Sequence, residues 1–131
     1  MFERLNERCW VLVVADDVAT RSLVEDSLNR ADYPTIAVAN ANDAQRWLRS
    51  SRPNPSLLIV EGQQNVLDSV RLRDLQHPEP DERVLPLVIL QAPNDPPPQQ
   101  HDPLNEQVDV LPKPADPEQI VALVTRYCSQ Q

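Results

Sequence analysis

The chain has 131 residues, the size of one domain with a single hydrophobic core. Twelve Lys and Arg residues against twenty Asp and Glu residues give a formal charge of -8, which opposes direct binding to nucleic acid or to anionic lipid. The apolar runs are much shorter than the ~20 residues of a membrane-spanning helix, and the N-terminal residues lack the apolar region of a signal peptide, so we expect a cytoplasmic protein.

Five short segments rich in Val, Ile and Leu recur along the chain. They are continuously apolar, which is typical of strands covered on both faces in a parallel sheet. The predicted strands are Trp10–Ala15, Thr35–Ala39, Leu57–Glu61, Leu85–Gln91 and Val108–Leu111.

Helical patterns lie between these strands. After the first strand, apolar residues at helical spacing predict a helix capped by Asp17 or Thr20. After the second, Asn42 is the predicted cap of a helix in which Trp47 packs into the core. A third helix is predicted over residues 63–75.

The last helical pattern carries the clearest start signal. Asp116 is the predicted N-cap, Pro117 the first helical residue, and Gln119 the residue that completes a capping box. The chain therefore alternates strands with helices throughout, except between Ala92 and Glu106, where five prolines forbid a regular helix over most of the length.

The cysteines and histidines give weaker signals. Cys9 and Cys128 lie near opposite ends of the sequence, so reduced thiols are the default interpretation and a disulfide is the alternative. His77 and His101 lie in predicted loops and match no common metal-binding spacing.

Charged residues follow several predicted strands. Because functional sites of open parallel sheets form at the carboxyl ends of the strands, Asp16 and Asp17, Glu61, and Lys113 are expected to converge at one edge. Gly62, the only glycine of the chain, follows the third strand, where a turn needs freedom in φ. A flavin or nucleotide site is not indicated, since the loop after the first strand offers carboxylates and not a phosphate cradle.

Three segments at these strand ends resemble the signature segments of response-regulator receiver domains: Val11–Asp17, Leu57–Glu61 and Leu111–Pro114. The resemblance covers the chain from about Trp10 to Tyr127. It implies a flavodoxin-like, doubly wound α/β fold with a five-stranded parallel sheet in the order 2-1-3-4-5. The receiver-like domain is placed at residues 10–128, after a lead-in at 1–9 and before a tail at 129–131.

In the receiver family, an acidic pair helps to hold Mg²⁺, an aspartate accepts the phosphoryl group, and a hydroxyl and a lysine follow the later strands. The resemblance places Ala15 and Asp16 at the acidic pair, so Asp16 is the one remaining metal ligand unless Asp17 joins it. Glu61 stands at the phosphoacceptor position, which makes that site degenerate. Gln91 takes the hydroxyl position, while Lys113 matches the family.

The family also couples the hydroxyl to an aromatic switch residue three positions before the lysine, and Val110 stands there. Glu61 extends its carboxylate one methylene further than aspartate, which displaces it from in-line phosphoryl transfer. These departures predict a non-enzymatic pseudo-receiver in a two-component pathway or phosphorelay, with no cofactor, or at most weakly bound Mg²⁺. Its expected partner is a protein: a sensor kinase, an output domain or another regulator.

Two further interpretations follow from the same residues. The alternative function is a phosphorylatable receiver in which Asp16 and Asp17 form an atypical Mg²⁺ site. An ion pair between Glu61 and Lys113 either mimics the phosphorylated state or is an ordinary structural pair. The family often pairs through helix four, strand five and helix five, so a homodimer is possible, although the proline-rich segment alters that surface.

Overall fold

The computed structural model describes residues 9–50, 55–62, 64–68, 86–93 and 108–129. Five strands and three helices lie in these ranges, and residues 64–68 are also helical. In chain order they are β1 Val11–Ala15, α1 Val18–Arg30, β2 Thr35–Val38, α2 Ala41–Ser50, β3 Leu57–Glu61, β4 Leu87–Gln91, β5 Val108–Pro112 and α3 Pro117–Ser129.

The five strands form one sheet in the order β2-β1-β3-β4-β5, and every neighbouring pair is parallel. This confirms the predicted fold and strand order. The register places Ala15 opposite Glu61, and Gln91 opposite Pro112. Because all strands run in one direction, the residues that follow them lie at one edge of the sheet, as in other open α/β folds.

Two hydrophobic clusters cover the two faces of the sheet. Helices α1 and α3 pack on one face, where Val24, Leu28, Ile120 and Val124 are fully or almost fully buried. Helix α2 packs on the other through Ala44 and Leu48. The strands β1 and β3 are buried along their whole length, which explains why they are continuously apolar and do not alternate.

The helix starts agree with the sequence in two of three cases. Asp17 caps α1 by accepting a hydrogen bond from the Thr20 N–H, and Asp116 caps α3 by accepting one from the Glu118 N–H. The predicted cap Asn42 is wrong: α2 begins at Ala41, and the Asn40 side chain accepts from the Asp43 N–H. Two asparagines two residues apart offer the same capping chemistry, and only the backbone path after β2 selects between them.

Trp47 differs from its prediction. It is 43% exposed, whereas Ala44 and Leu48 on the same helix are buried. The helical spacing identified the correct element, but the buried stripe of α2 is narrower than the apolar residues suggest. Tyr127 on α3, by contrast, is buried.

The structure joins Cys9 to Cys128 in a disulfide, with their Cα atoms 5.7 Å apart. This replaces the default interpretation of reduced thiols with the alternative. The cysteines are separated by 119 positions, yet Cys9 directly precedes the central strand region and Cys128 lies in the last turn of α3, which packs back along the sheet. Sequence separation therefore says nothing about their distance in a parallel α/β fold.

Several predictions fall on residues outside the described ranges: most of the proline-rich connection, both histidines, the lead-in before Cys9, the last two residues of the tail and the predicted third helix after residue 68. None of the helices in the described ranges has both the length and the apolar character needed to cross a membrane.

Candidate functional site

The carboxyl edge of the sheet gathers the charged residues that the sequence singled out. We call this edge the rim and define it by Asp16, Asp17, Glu61, Gly62 and Lys113. The five residues belong to three strand ends: Asp16 and Asp17 follow β1, Glu61 ends β3 and Gly62 follows it, and Lys113 follows β5. A cis peptide bond joins Lys113 to Pro114.

Glu61 is the centre of the rim. Its side-chain Oε2 lies 3.1 Å from the Lys113 Nζ, and its Oε1 accepts a hydrogen bond of 3.0 Å from the backbone N–H of Asp17. Glu61 is 8% exposed, whereas the Lys113 side chain is 22% exposed. One carboxylate therefore connects the loop after β1 with the loop after β5, with both of its oxygens engaged.

Asn65 is a second connector of the rim, and the sequence did not indicate it. It is 3% exposed, and its Nδ2 lies 3.0 Å from the Asp16 Oδ1, 3.0 Å from the Glu61 carbonyl and 3.2 Å from the Ala39 carbonyl. The amide thus joins the ends of β1, β2 and β3. An asparagine four residues after a strand is an ordinary helix-start residue in sequence, so no local pattern marks this role.

Asp16 packs over the backbone of the β3 turn. Gly62 has a φ of +102°, and a Cβ added there would lie 2.6 Å from the Asp16 Oδ2. The predicted need for a glycine therefore has two causes: the backbone conformation and the space that the Asp16 carboxylate occupies.

Asp17 uses its carboxylate to cap α1. Its Oδ2 accepts hydrogen bonds from the Thr20 hydroxyl at 2.6 Å and from the Thr20 N–H at 3.2 Å. These two hydrogen bonds hold the pKa of the Asp17 carboxyl below its ordinary value of 3.8, and the positive charge of Lys113 acts in the same direction. The carboxylate is thereby directed toward the helix start.

This capping role predicts how Asp17→Asn will behave. Asparagine retains a capping oxygen but no charge, so wild type should be the more stable at neutral pH. Because the pKa is lowered in the folded state, the stabilisation by charge is present above the unfolded-state pKa and is lost as the pH falls through the folded-state pKa. Urea unfolding at neutral pH and near pH 3 measures the difference. A gap between the two proteins that stays constant with pH would contradict this assignment.

A cation lies beside the first acidic position of the family motif. The Arg21 side chain donates a hydrogen bond of 2.8 Å from Nη1 to the Ala15 carbonyl, and Ala15 is fully buried. The end of β1 therefore has no carboxylate at this position and a guanidinium at its carbonyl. The sequence did not indicate Arg21, which lies in the first turn of α1.

The two switch positions behave differently from each other. Gln91 ends β4, and its carbonyl accepts a hydrogen bond of 2.9 Å from the Lys113 N–H, which helps to place the lysine. Val110 is 43% exposed on β5.

The aromatic ring near β5 is supplied by α3: the Tyr127 hydroxyl donates to Asp109, which also accepts from Arg126 at 2.9 Å. Burial and, after it, Asp109 raise the pKa of Tyr127 to about 12.

In the described ranges, no group of three or more His, Cys, Asp or Glu side chains is arranged to hold a metal ion. Asp16 is hydrogen-bonded to Asn65, Asp17 to Thr20, and Glu61 to Lys113. Since Mg²⁺ takes octahedral oxygen ligands, often with one or two carboxylates, the residues present do not fit it well.

Comparisons with known proteins agree with the overall fold. No family model and no curated protein matches the chain. Among solved structures, the apo receiver domain of nitrogen regulatory protein C (NtrC) is 28% identical, with a TM-score of 0.70 over 94% of this chain and 96% of that one. The BeF3-activated form of the same receiver is 26% identical, with a TM-score of 0.66 over 92% and 94%.

A putative response regulator from Chloroflexus aurantiacus is 23% identical, with a TM-score of 0.68 over 92% of this chain and 98% of that one. At this identity the similarity concerns the fold. The strand order and these similarities agree on a receiver-type fold.

Proposed function

Since this chain is a receiver domain of the response-regulator type, we propose that it acts in two-component signalling as a pseudo-receiver, a phosphorylation-independent module that works by protein contacts. The observation that carries this proposal is the state of Glu61. Both of its side-chain oxygens are engaged inside the protein, one by Lys113 and one by the Asp17 N–H. To accept a phosphoryl group, a carboxylate oxygen must be free to attack phosphorus in line with the leaving group. The two contacts keep the Glu61 oxygens from this position.

Electrostatics at the end of β1 supports the same proposal. Phosphoryl transfer in this family needs a divalent cation, which carboxylates attract and a neighbouring guanidinium repels. Here Ala15 supplies no carboxylate, and Arg21 brings a positive charge to its carbonyl. The Lys113 ammonium balances the charge of the Glu61 carboxylate, so this carboxylate does not need a metal ion for neutralisation.

The pair also suggests what the module presents to a partner. Glu61 contacts both the loop after β1 and Lys113 after β5, which supports a rim that keeps one arrangement without a signal at this site. We propose that a protein partner, such as a sensor kinase, an output domain or another regulator, recognises this fixed form in the cytoplasm. A homodimer is also part of the proposal, without the family's usual pairing surface.

The alternative function, an atypical phosphorylatable receiver, requires Asp16 and Asp17 to serve as metal ligands. Both carboxylates are engaged, Asp16 by Asn65 and Asp17 by Thr20, so metal binding has to break these hydrogen bonds. The geometry therefore favours the pseudo-receiver over the alternative.

Phosphate and fluoride reagents test the proposal directly. With Mg²⁺ and acetyl phosphate, the intact mass should stay unchanged. With Mg²⁺ and beryllium fluoride, the amide NMR signals of Asp17, Glu61 and Lys113 should not shift. The NtrC receiver, which has a BeF3-activated form, is the positive control for the reagents. A stable phosphoryl adduct, or saturable shifts at the rim, would overturn the pseudo-receiver in favour of the alternative.

A further inference from the structure

Two links hold the unit formed by β5 and α3 to the centre of the sheet: an ion pair at the rim and a disulfide at the opposite edge. Helix α3 begins four residues after Lys113 at the rim and ends at Ser129, one residue beyond Cys128. At the rim, Lys113 is bound to Glu61 of β3. At the other edge, Cys128 is bound to Cys9, two residues before β1. The β5–α3 unit is therefore held to the centre of the sheet at both ends.

We propose that the Cys9–Cys128 disulfide is a reversible redox site that controls how firmly the last turn of α3 is held on the sheet. Thiol–disulfide exchange with a dithiol opens it, and exchange with a small disulfide closes it. This proposal is independent of the proposed function, because it involves neither phosphate nor the charge of Glu61.

Accessibility directs the exchange to one of the two sulfurs. Cys9 is 3% exposed, whereas Cys128 is only partly buried, so an incoming thiolate reaches the Cys128 sulfur. Its attack breaks the S–S bond, forms a mixed disulfide with Cys128 and releases Cys9 as a thiolate, which takes a proton from solvent. The second thiol of the dithiol then displaces Cys128. The reagent becomes a disulfide, and its two electrons reduce the two cysteines.

The packing of α3 explains why opening the bond does not unfold the helix. Ile120, Val124 and Tyr127 are buried against the sheet, and we expect their packing to hold α3 in place when the disulfide is open. Tyr127 is also hydrogen-bonded to Asp109 of β5. A reduced cysteine is itself a small apolar residue that tolerates burial. Reduction therefore removes one constraint at the end of α3, and the remaining contacts keep the two thiols near each other for closure.

Hydrogen exchange of the full chain tests this redox site. Dithiothreitol should make both cysteines available to iodoacetamide, as read by intact mass. It should also speed amide exchange in residues 125–129 about tenfold or more, while β1 changes by less than about twofold. Oxidised glutathione should restore the slow exchange. Cys128→Ser should show the fast exchange without reductant and should not respond to dithiothreitol.

Three results would overturn the proposal. The first is thiols that remain available to iodoacetamide after treatment with oxidised glutathione, because the bond then does not close. The second is verified reduction with unchanged exchange at the end of α3. The third is joint loss of protection in β1 and α3, which would make the bond a structural requirement of the whole domain. The pseudo-receiver proposal is tested separately, with acetyl phosphate and beryllium fluoride, so the failure of either proposal is distinguishable from the failure of the other.

Discussion

Lys113→Ala will lower the free energy of unfolding by about 2–4 kcal/mol. The substitution leaves the Glu61 carboxylate, 8% exposed, without its cation and with the Asp17 N–H as its remaining rim donor. Breaking a buried ion pair by removing one partner costs more than the pair contributes, because the other charge stays buried. Lys113 is partly exposed, which places the expected cost at the lower part of the usual range.

Substitution of the other partner, Glu61, should lower the free energy of unfolding by less. Glu61→Gln keeps an oxygen for the Asp17 N–H and leaves a lysine that water can reach, so about 1 kcal/mol is expected. The double variant should be more stable than the sum of the single losses predicts, since no charge is then left buried alone. Urea unfolding of the four proteins gives the coupling energy.

A second ion pair serves as the control. Arg126 and Asp109 lie 2.9 Å apart, but their side chains are 57% and 34% exposed. Arg126→Ala should therefore cost less than about 1 kcal/mol, although the distance is similar. The contrary result is that Lys113→Ala and Glu61→Gln lower the free energy of unfolding equally and are additive in the double variant. That result would show that burial of the Glu61 carboxylate does not determine the stability of the ion pair.

Gly62→Ala should be the other strongly destabilising change, by about 2–3 kcal/mol. The φ of +102° is unfavourable for any residue with a Cβ, and the new methyl carbon would meet the Asp16 Oδ2 at 2.6 Å. The carboxylate is the end of a side chain and can move, but its movement disrupts the hydrogen bond to Asn65.

The two causes are separable with Asp16→Ala as the background. Removal of the Asp16 carboxylate eliminates the contact but not the backbone strain, so Gly62→Ala should then cost only about 1–2 kcal/mol. Thermal unfolding measures the costs, and the NMR signals of the Asn65 side-chain amide report on the contact. The same cost in both backgrounds would mean that the Asp16 carboxylate does not press on this turn.

The fold could be predicted from the sequence because of how the strands are buried. Strands β1 and β3 are buried on both faces, which requires unbroken apolar runs and leaves little choice but a parallel sheet. The apolar runs locate the ends of the strands to within one or two residues. They therefore also locate Glu61 and Lys113 at those ends. Asp116 and Pro117 mark the start of α3 correctly, because caps act within a few residues of chain.

The details of the site were less accessible. Asn65 contacts the ends of three strands, and Arg21 reaches back to the carbonyl of Ala15, but both look like ordinary helix residues in sequence. Asn40 replaces Asn42 as the cap of α2, and Trp47 lies at the margin of its buried stripe. Each outcome depends on distances between segments that are remote along the chain.

The sequence alone determined which apolar strands are followed by an acid or end in one, and which is followed by a lysine. Only the tertiary structure decided how these groups are used, with Glu61 bound to Lys113, Asp17 turned to its own helix and Cys9 joined to Cys128. Local patterns act over a few residues, whereas hydrogen bonds, ion pairs and disulfides depend on a few ångströms of space that the whole fold sets.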